Sequence, residues 1–172
     1  MKAATATNGA GAATREQAAA AEAWVREFKE GWRAPVGPEP FAAHFERVLD
    51  PGIRLIQPQL PELVGHADFR SGFVAPLFAM IPDVRGEVER WAAHGDTIYI
   101  EVTMHGTLGG KPLRFRACDR VTLREGKAIE RETYLDPLPL LGSVATRPKA
   151  WPRFLRSQAL QLRHKLRKRG KR

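Results

Sequence analysis

The chain reads as an α+β protein in which helices come first, an antiparallel sheet follows, and one more helix closes the sequence. Three observations predict this class. Apolar residues recur at helical spacing from Ala21 to Ile81, and they alternate with polar ones from Thr97 onward. Helical spacing then returns, with a basic character, after Trp151.

Met1 to Ala13 is rich in Ala, Gly and Thr and lacks the apolar run of a signal peptide, so a disordered leader is expected there. Thr14-Arg-Glu-Gln17 fits a capping box, whose side chains satisfy free N–H groups at a helix start. The helix it opens carries Ala21, Trp24, Val25, Phe28 and Trp32 on one face. Ala34 to Pro40 is a proline-rich loop. A second helix covers roughly Phe41 to Leu49 and stops at Asp50-Pro51-Gly52. Ile53 to Gln57 is a brief strand ended by Pro58 and Pro61. A third helix runs from about Ala67 to Met80, with Phe69, Phe73, Leu77 and Ile81 four apart. Pro76 lies inside it and should kink or split it, because proline removes a backbone donor.

From Val84 the pattern changes to strands. Ile98, Ile100, Val102 and Met104 share one phase of a clean alternation, and Gly109-Gly110 is a two-residue hairpin signal. Pairing across that turn sets Leu108 opposite Lys111, Met104 opposite Phe115, Val102 opposite Ala117 and Ile100 opposite Asp119. The apolar phase of the next strand reads Leu113, Phe115, Ala117, Asp119, Val121, Leu123. Asp119 is the odd member. A carboxylate buried without compensation costs several kcal/mol, so a partner is expected.

Two registers are open for the following hairpin. A two-residue turn puts Glu132 opposite Asp119. A three-residue loop with Gly126 in a bulge puts Arg131 there, Ile129 opposite Val121 and Thr133 opposite Ala117. The second keeps apolar groups inside and sets Arg120 against Glu130 outside, and it is the register expected.

With 172 residues the chain makes one domain plus extensions: a leader over 1–13, a domain over 14–145, and a helix and tail over 146–172. No apolar run approaches the roughly 18 residues of a membrane span. Cys118 is the single cysteine, which excludes an intrachain disulfide and the usual Cys-based zinc sites and fits a reducing, cytoplasmic setting. His44, His66, His94, His105 and His164 show no ligand spacing, so no metal is expected. No GxGxxG turn or phosphate loop is visible, and no cofactor is expected.

The net charge of +9 is concentrated in one place. Residues 151–172 hold nine of the 28 Lys/Arg and none of the 19 Asp/Glu, which leaves 19 of each in residues 1–150. A neutral body argues against a nucleic-acid reader, which spreads basic and aromatic groups over its folded surface. In the tail, Trp151, Phe154, Leu155, Leu162 and Leu166 form an apolar stripe. Such a helix either docks on the body by its stripe or lies on an anionic membrane surface. Docking is expected, with residues 151–167 helical and the last five disordered.

Gln57-Pro58 followed by Gly65, the turn Glu125-Gly126-Lys127 and the run Tyr134-Leu135-Asp136 occur in that order after the N-terminal helices. Together they resemble the SnoaL-like branch of the NTF2-like superfamily over residues 15–145. The resemblance implies a cone: three N-terminal helices on a strongly curved antiparallel sheet around an apolar cavity. It implies no single reaction, because relatives include polyketide cyclases, ketosteroid isomerases and limonene-type epoxide hydrolases. Asp119 aligns with the buried acid of the isomerases, but their general base falls on Gln57 and their tyrosine near Phe28. The epoxide hydrolase residues fall on Ile100, Val102 and Thr133, so that constellation is absent.

The expected function is therefore a small-molecule enzyme using acid/base chemistry on an apolar, carbonyl-bearing ligand, polyketide-like or steroid-like. Asp119 is the candidate acid/base and Arg131 its electrostatic partner. Gln57, Phe28, Trp32, Phe73, Met104, Phe115 and Thr133 are the candidate substrate-binding residues. The alternative is a non-catalytic ligand-binding or interaction module with a structural Asp–Arg pair. A homodimer through the convex sheet face, carrying Tyr99, Glu101, Arg116, Arg120, Glu130 and Glu132, is also expected.

Overall fold

The computed structural model describes residues 7–58 and 60–169. Helix α1 (Thr7–Arg33) is followed by α2 (Pro38–Glu46), β1 (Leu49–Ile56) and β2 (Leu63–Val64). Helix α3 is composite: Gly65–Asp68, a π-helical segment Phe69–Val74, then Ala75–Met80. The strands β3 (Arg85–His94), β4 (Thr97–Leu108), β5 (Lys111–Arg124) and β6 (Lys127–Leu135) lead to α4 (Leu138–Thr146). A 3₁₀ turn (Pro148–Ala150) then enters α5 (Trp151–Arg169).

The α1 helix begins seven residues before the expected capping box, so Thr14 and Gln17 lie within it. The Ala-rich segment has the highest helix propensity available, which carries the helix back through residues expected to be disordered. The leader's first six residues lie outside the described part of the chain. At the other end α5 reaches Arg169, past the expected limit, and residues 170–172 are likewise outside it. The break expected at Pro76 appears as the π segment just before it. Without an N–H at Pro76 the carbonyl of Gly72 has no i+4 partner, and the turn widens.

All six strands form one curved, unclosed sheet in the order β2-β1-β6-β5-β4-β3. The α+β cone expected from the sequence is present. One pairing differs from a wholly antiparallel sheet: β1 runs parallel to β6, with Leu55 opposite Arg131. Residues 57–126 separate these two strands, so no hairpin turn fixes their sense.

The Gly109-Gly110 hairpin has the expected register throughout, including Ile100 opposite Asp119. Both glycines have positive φ, 63° and 77°, as a two-residue turn matched to strand twist requires. The β5–β6 hairpin starts in the two-residue-turn register, not the three-residue one expected, and leaves it after two pairs. Its turn is the two-residue Glu125-Gly126, with φ 52° and 74°, and Leu123 faces Ala128. A bulge at Ile129 then shifts the ladder, so Val121 faces Arg131 and Asp119 faces Thr133. The expected Arg131–Asp119 cross-strand pair is thus displaced by two residues. Because side chains alternate with period two, Arg131 still emerges on the same face as Asp119. Outside, Arg120 contacts Glu130 at 3.2 Å and Glu132 at 2.6 Å.

The helices cover the sheet with an aromatic layer. Trp24, Phe28 and Trp32 of α1 meet Phe41 and Phe45 of α2 and Phe69 and Phe73 of α3, all buried, at ring-centroid separations from 4.7 to 6.5 Å. Such rings dominate the energetics of a core this size.

Helix α5 docks on α3, but not by its apolar stripe. Its packed face carries Phe154, Ser157 and His164. Ser157 Oγ donates to the Pro76 carbonyl at 2.9 Å, His164 Nδ1 lies 3.0 Å from Ser71 Oγ, and Lys168 pairs with Asp68. Of the stripe, Phe154 alone turns inward; Trp151, Leu155, Leu162 and Leu166 are exposed. The helix thus docks as expected while presenting the opposite face. The polar seam forms where α3 offers the Pro76 carbonyl to Ser157 and the Asp68 carboxylate to Lys168.

Candidate functional site

A cavity of about 210 Å³ lies among α1, α3, the inner sheet face, α4 and α5. Its wall is mostly apolar, with Phe73, Met80, Val102, Met104, Phe115 and Leu141 among the lining groups. Phe73, Val102, Met104 and Phe115 come from periodicities legible in the sequence, whereas Leu141 comes from α4, an element not expected from it. Val102 and Met104 share the inward phase of β4, and Phe115 and Ala117 face them from β5. Phe73 is carried inward by the π segment, next to Gly72.

Polar groups enter this wall at few points. Arg131 and Thr133 arrive from β6, Gln57 from the end of β1 and Trp32 from the last turn of α1. Helix α5 adds Ser157, Gln158 and Gln161. Arg131 is the sole ionisable side chain in the described lining.

The Asp119 carboxylate is fully buried. Thr133 Oγ1 donates to its Oδ1 at 2.6 Å, and an Arg131 guanidinium nitrogen lies 2.8 Å from Oδ2. The second contact is an ion pair without hydrogen-bond alignment, leaving Asp119 Oδ2 and Arg131 Nε with no hydrogen-bond partner. The guanidinium also lies over the Phe28 and Phe73 rings, 5.8 and 5.5 Å from their centroids. One carboxylate and two ring faces therefore fix Arg131 against the cavity wall.

Three buried N–H donors in this lining lack a partner: Trp32 Nε1, Gln57 Nε2 and Arg131 Nε. Leaving a buried donor unmet costs about 1–3 kcal/mol each. All three belong to residues that line this one cavity, which makes them candidate donors to what fills it.

Seven substrate-binding and two catalytic positions were expected. Gln57, Trp32, Phe73, Met104, Phe115, Thr133 and Arg131 line the cavity. Phe28 does not; it borders a separate void of about 10 Å³ beneath Arg131. Asp119 is also outside the lining, and both residues that contact its carboxylate, Arg131 and Thr133, are within it. The reason is the two-residue displacement of β6, which brings Thr133 and Arg131 to flank Asp119. The α5 residues were missed, because the apolar stripe was read as the packed face. The signal was present in the i+3/i+4 series Phe154, Ser157, Gln161, His164.

A family profile described as SnoaL-like domain matches residues 22–131. No curated protein matches the sequence. Among solved structures, a putative SnoaL-like polyketide cyclase from Jannaschia sp. CCS1 is similar at 22% identity, with a TM-score of 0.63 over 74% of this chain and 92% of that one. An NTF2-like protein of unknown function from Burkholderia pseudomallei K96243 is similar at 17% identity, with a TM-score of 0.64 over 74% and 98%. An LEH-like epoxide hydrolase of M. tuberculosis is similar at 13% identity, with a TM-score of 0.59 over 77% and 95%. At these identities the likeness is one of fold.

Proposed function

The chain belongs to the SnoaL-like domain family, and from that premise we propose that its cavity binds a small, neutral, mostly apolar molecule bearing a carbonyl oxygen. One observation carries this reading: three buried N–H donors without partners belong to residues of one mostly apolar wall. A ligand oxygen satisfies donors that nothing in the chain satisfies. Asp119 already neutralises Arg131, which favours a carbonyl over a free carboxylate. The volume of about 210 Å³ lies below the roughly 300–1,000 Å³ of drug-sized pockets and suits a compact ring compound. Titrating the protein with cyclic ketones and lactones, and with hydrocarbons of matched shape, tests the reading. Ketones should bind about tenfold or more tightly than their hydrocarbon counterparts. Equal affinities overturn it.

Turnover is the second reading, favoured by the fixed guanidinium. Donors aimed at a carbonyl oxygen stabilise the oxyanion of an enolisation, isomerisation or cyclisation. Asp119 is the candidate to accept a proton, relayed through the Thr133 hydroxyl, which lines the cavity and donates to Asp119 Oδ1. Deuterium exchange at the α-carbon of a bound ketone, lost in Asp119→Asn, supports catalysis; binding without exchange leaves a carrier or sensor. A homodimer through the outer sheet face is part of the same proposal. Tyr99 and Tyr134 are about half exposed there, amid Arg90, Glu101, Arg116 and Glu132. Such a mixed-charge face can pair with its own two-fold copy. Light scattering that returns one chain mass at micromolar concentration removes it.

A further inference from the structure

Helix α5 has two faces, and only one of them is used by the fold. At about 100° per residue, Trp151, Leu155, Leu162 and Leu166 fall within roughly 60° of arc. They are 51%, 64%, 57% and 57% exposed. The packed residues Ser157 and His164 lie on the opposite side of the helix. Arg156, Arg163 and Arg167, all exposed, flank the apolar arc on one side, and exposed Lys165 flanks it on the other. No acidic residue occurs anywhere from 151 to 172.

We propose that this face of α5 seats the protein on an anionic lipid surface, with the leucine arc in the acyl boundary and the Arg/Lys flanks at the head groups. Charge decides among occupants. A second copy of the chain would set Arg against Arg with no carboxylate on the helix to answer it. A nucleic acid offers phosphates to the flanks but nothing to the leucines between them. An anionic bilayer meets both, and a helix with a basic polar side and an apolar stripe lies in the interface plane. No helix among the described residues is long and apolar enough to cross the membrane, so the attachment is peripheral. The placement bears on the cavity as well. Phe154, Gln158 and Gln161 of the same helix line it, and Leu141 of α4 both lines it and is 40% exposed. A bilayer under α5 would therefore lie close to the cavity wall, where an apolar ligand partitions.

Co-sedimentation of the full chain with phosphatidylcholine vesicles, with and without about 30% phosphatidylserine, tests the proposal. Binding should require the anionic lipid, weaken with salt, and shift the Trp151 emission to the blue. Leu162→Gln with Leu166→Gln should cut partitioning about tenfold or more while leaving the unfolding midpoint in place, because both side chains are already in solvent. Absence of pelleting at low salt overturns it. So does unchanged pelleting of the leucine variant, which would reduce the contact to charge alone. Tighter binding to duplex RNA than to the vesicles, retained by the leucine variant, also overturns it. Ketone affinity in lipid-free solution reads the cavity separately, so the two proposals fail independently.

Discussion

Arg131 and Asp119 form an ion pair at 2.8 Å although they do not face each other across the ladder: Asp119 faces Thr133, and Arg131 faces Val121. The pair is diagonal on one sheet face, so the long Arg side chain spans the offset while its guanidinium stays over the Phe28 and Phe73 rings.

Removing the carboxylate should expose the cost of that arrangement. Asp119→Ala leaves Arg131, 11% exposed, without its counter-charge. Urea unfolding should show a loss of about 3–5 kcal/mol, whereas Asp119→Leu with Arg131→Met should cost far less, since the apolar pair leaves no charge behind. A double-variant loss as large as the sum of the losses in Asp119→Leu and Arg131→Met alone would show that the pair is not coupled.

The β5–β6 turn carries strain that can be relieved. Glu125 has φ 52°, the one described non-glycine residue with positive φ, at the first central position of a two-residue hairpin. Asn tolerates that conformation better, and Asn-Gly is the favoured pair for such turns. Glu125→Asn should stabilise the protein by about 0.5–1 kcal/mol. A loss of stability would mean the hairpin uses a longer loop in solution.

That turn also marks the limit of what the sequence discloses. Alternation revealed the inward phase of β4, β5 and β6, and so brought Arg131 and Thr133 to the Asp119 face. It could not place the bulge at Ile129, because a shift of two residues preserves every inside–outside assignment. The aromatic layer was equally legible, being encoded in i+3/i+4 spacing on α1 and α3. The docking of α5 was read on the wrong face for a different reason. Hydrophobic periodicity says which residues resemble each other, whereas the choice of face was made by the Pro76 carbonyl and Asp68, on a helix distant in sequence.

Gly72 packs against both Leu63 of β2 and His164 of the docked helix. A Cβ added there would lie 2.6 Å from Leu63 Cδ2 and 3.2 Å from His164 Nε2. Leu63 is fully buried and has nowhere to go. Gly72→Ala should cost about 1–3 kcal/mol and raise hydrogen exchange in α5 before the sheet. Unchanged exchange in α5 would mean the helix is already loose in solution.

The same seam should respond to acid. Ser71 Oγ donates to the Ala67 carbonyl at 2.8 Å, so His164 Nδ1 donates to Ser71 and Nε2 is the bare nitrogen, 3.8 Å from Asp68 Oδ1. Burial pushes the His164 imidazole below its ordinary range; Asp68 pulls it up, while Lys168 and Arg167 push it further down. The unfolded chain therefore holds more protons than the native one in the interval below the ordinary His value of about 6.5. This stability is complete above about pH 6.5 and is lost as pH falls through the depressed native value. Asp68 is exposed to the opposite pulls of burial and of Lys168, the Val64 N–H and His164. The net result holds it below its ordinary range, so its own contribution persists until more acid conditions. Protection factors in α5, corrected for the intrinsic slowing of exchange in acid, should accordingly fall between pH 7.5 and pH 5 while those of the sheet hold, and His164→Gln should flatten that response. A response of equal size in His164→Gln would assign the acid sensitivity to another group.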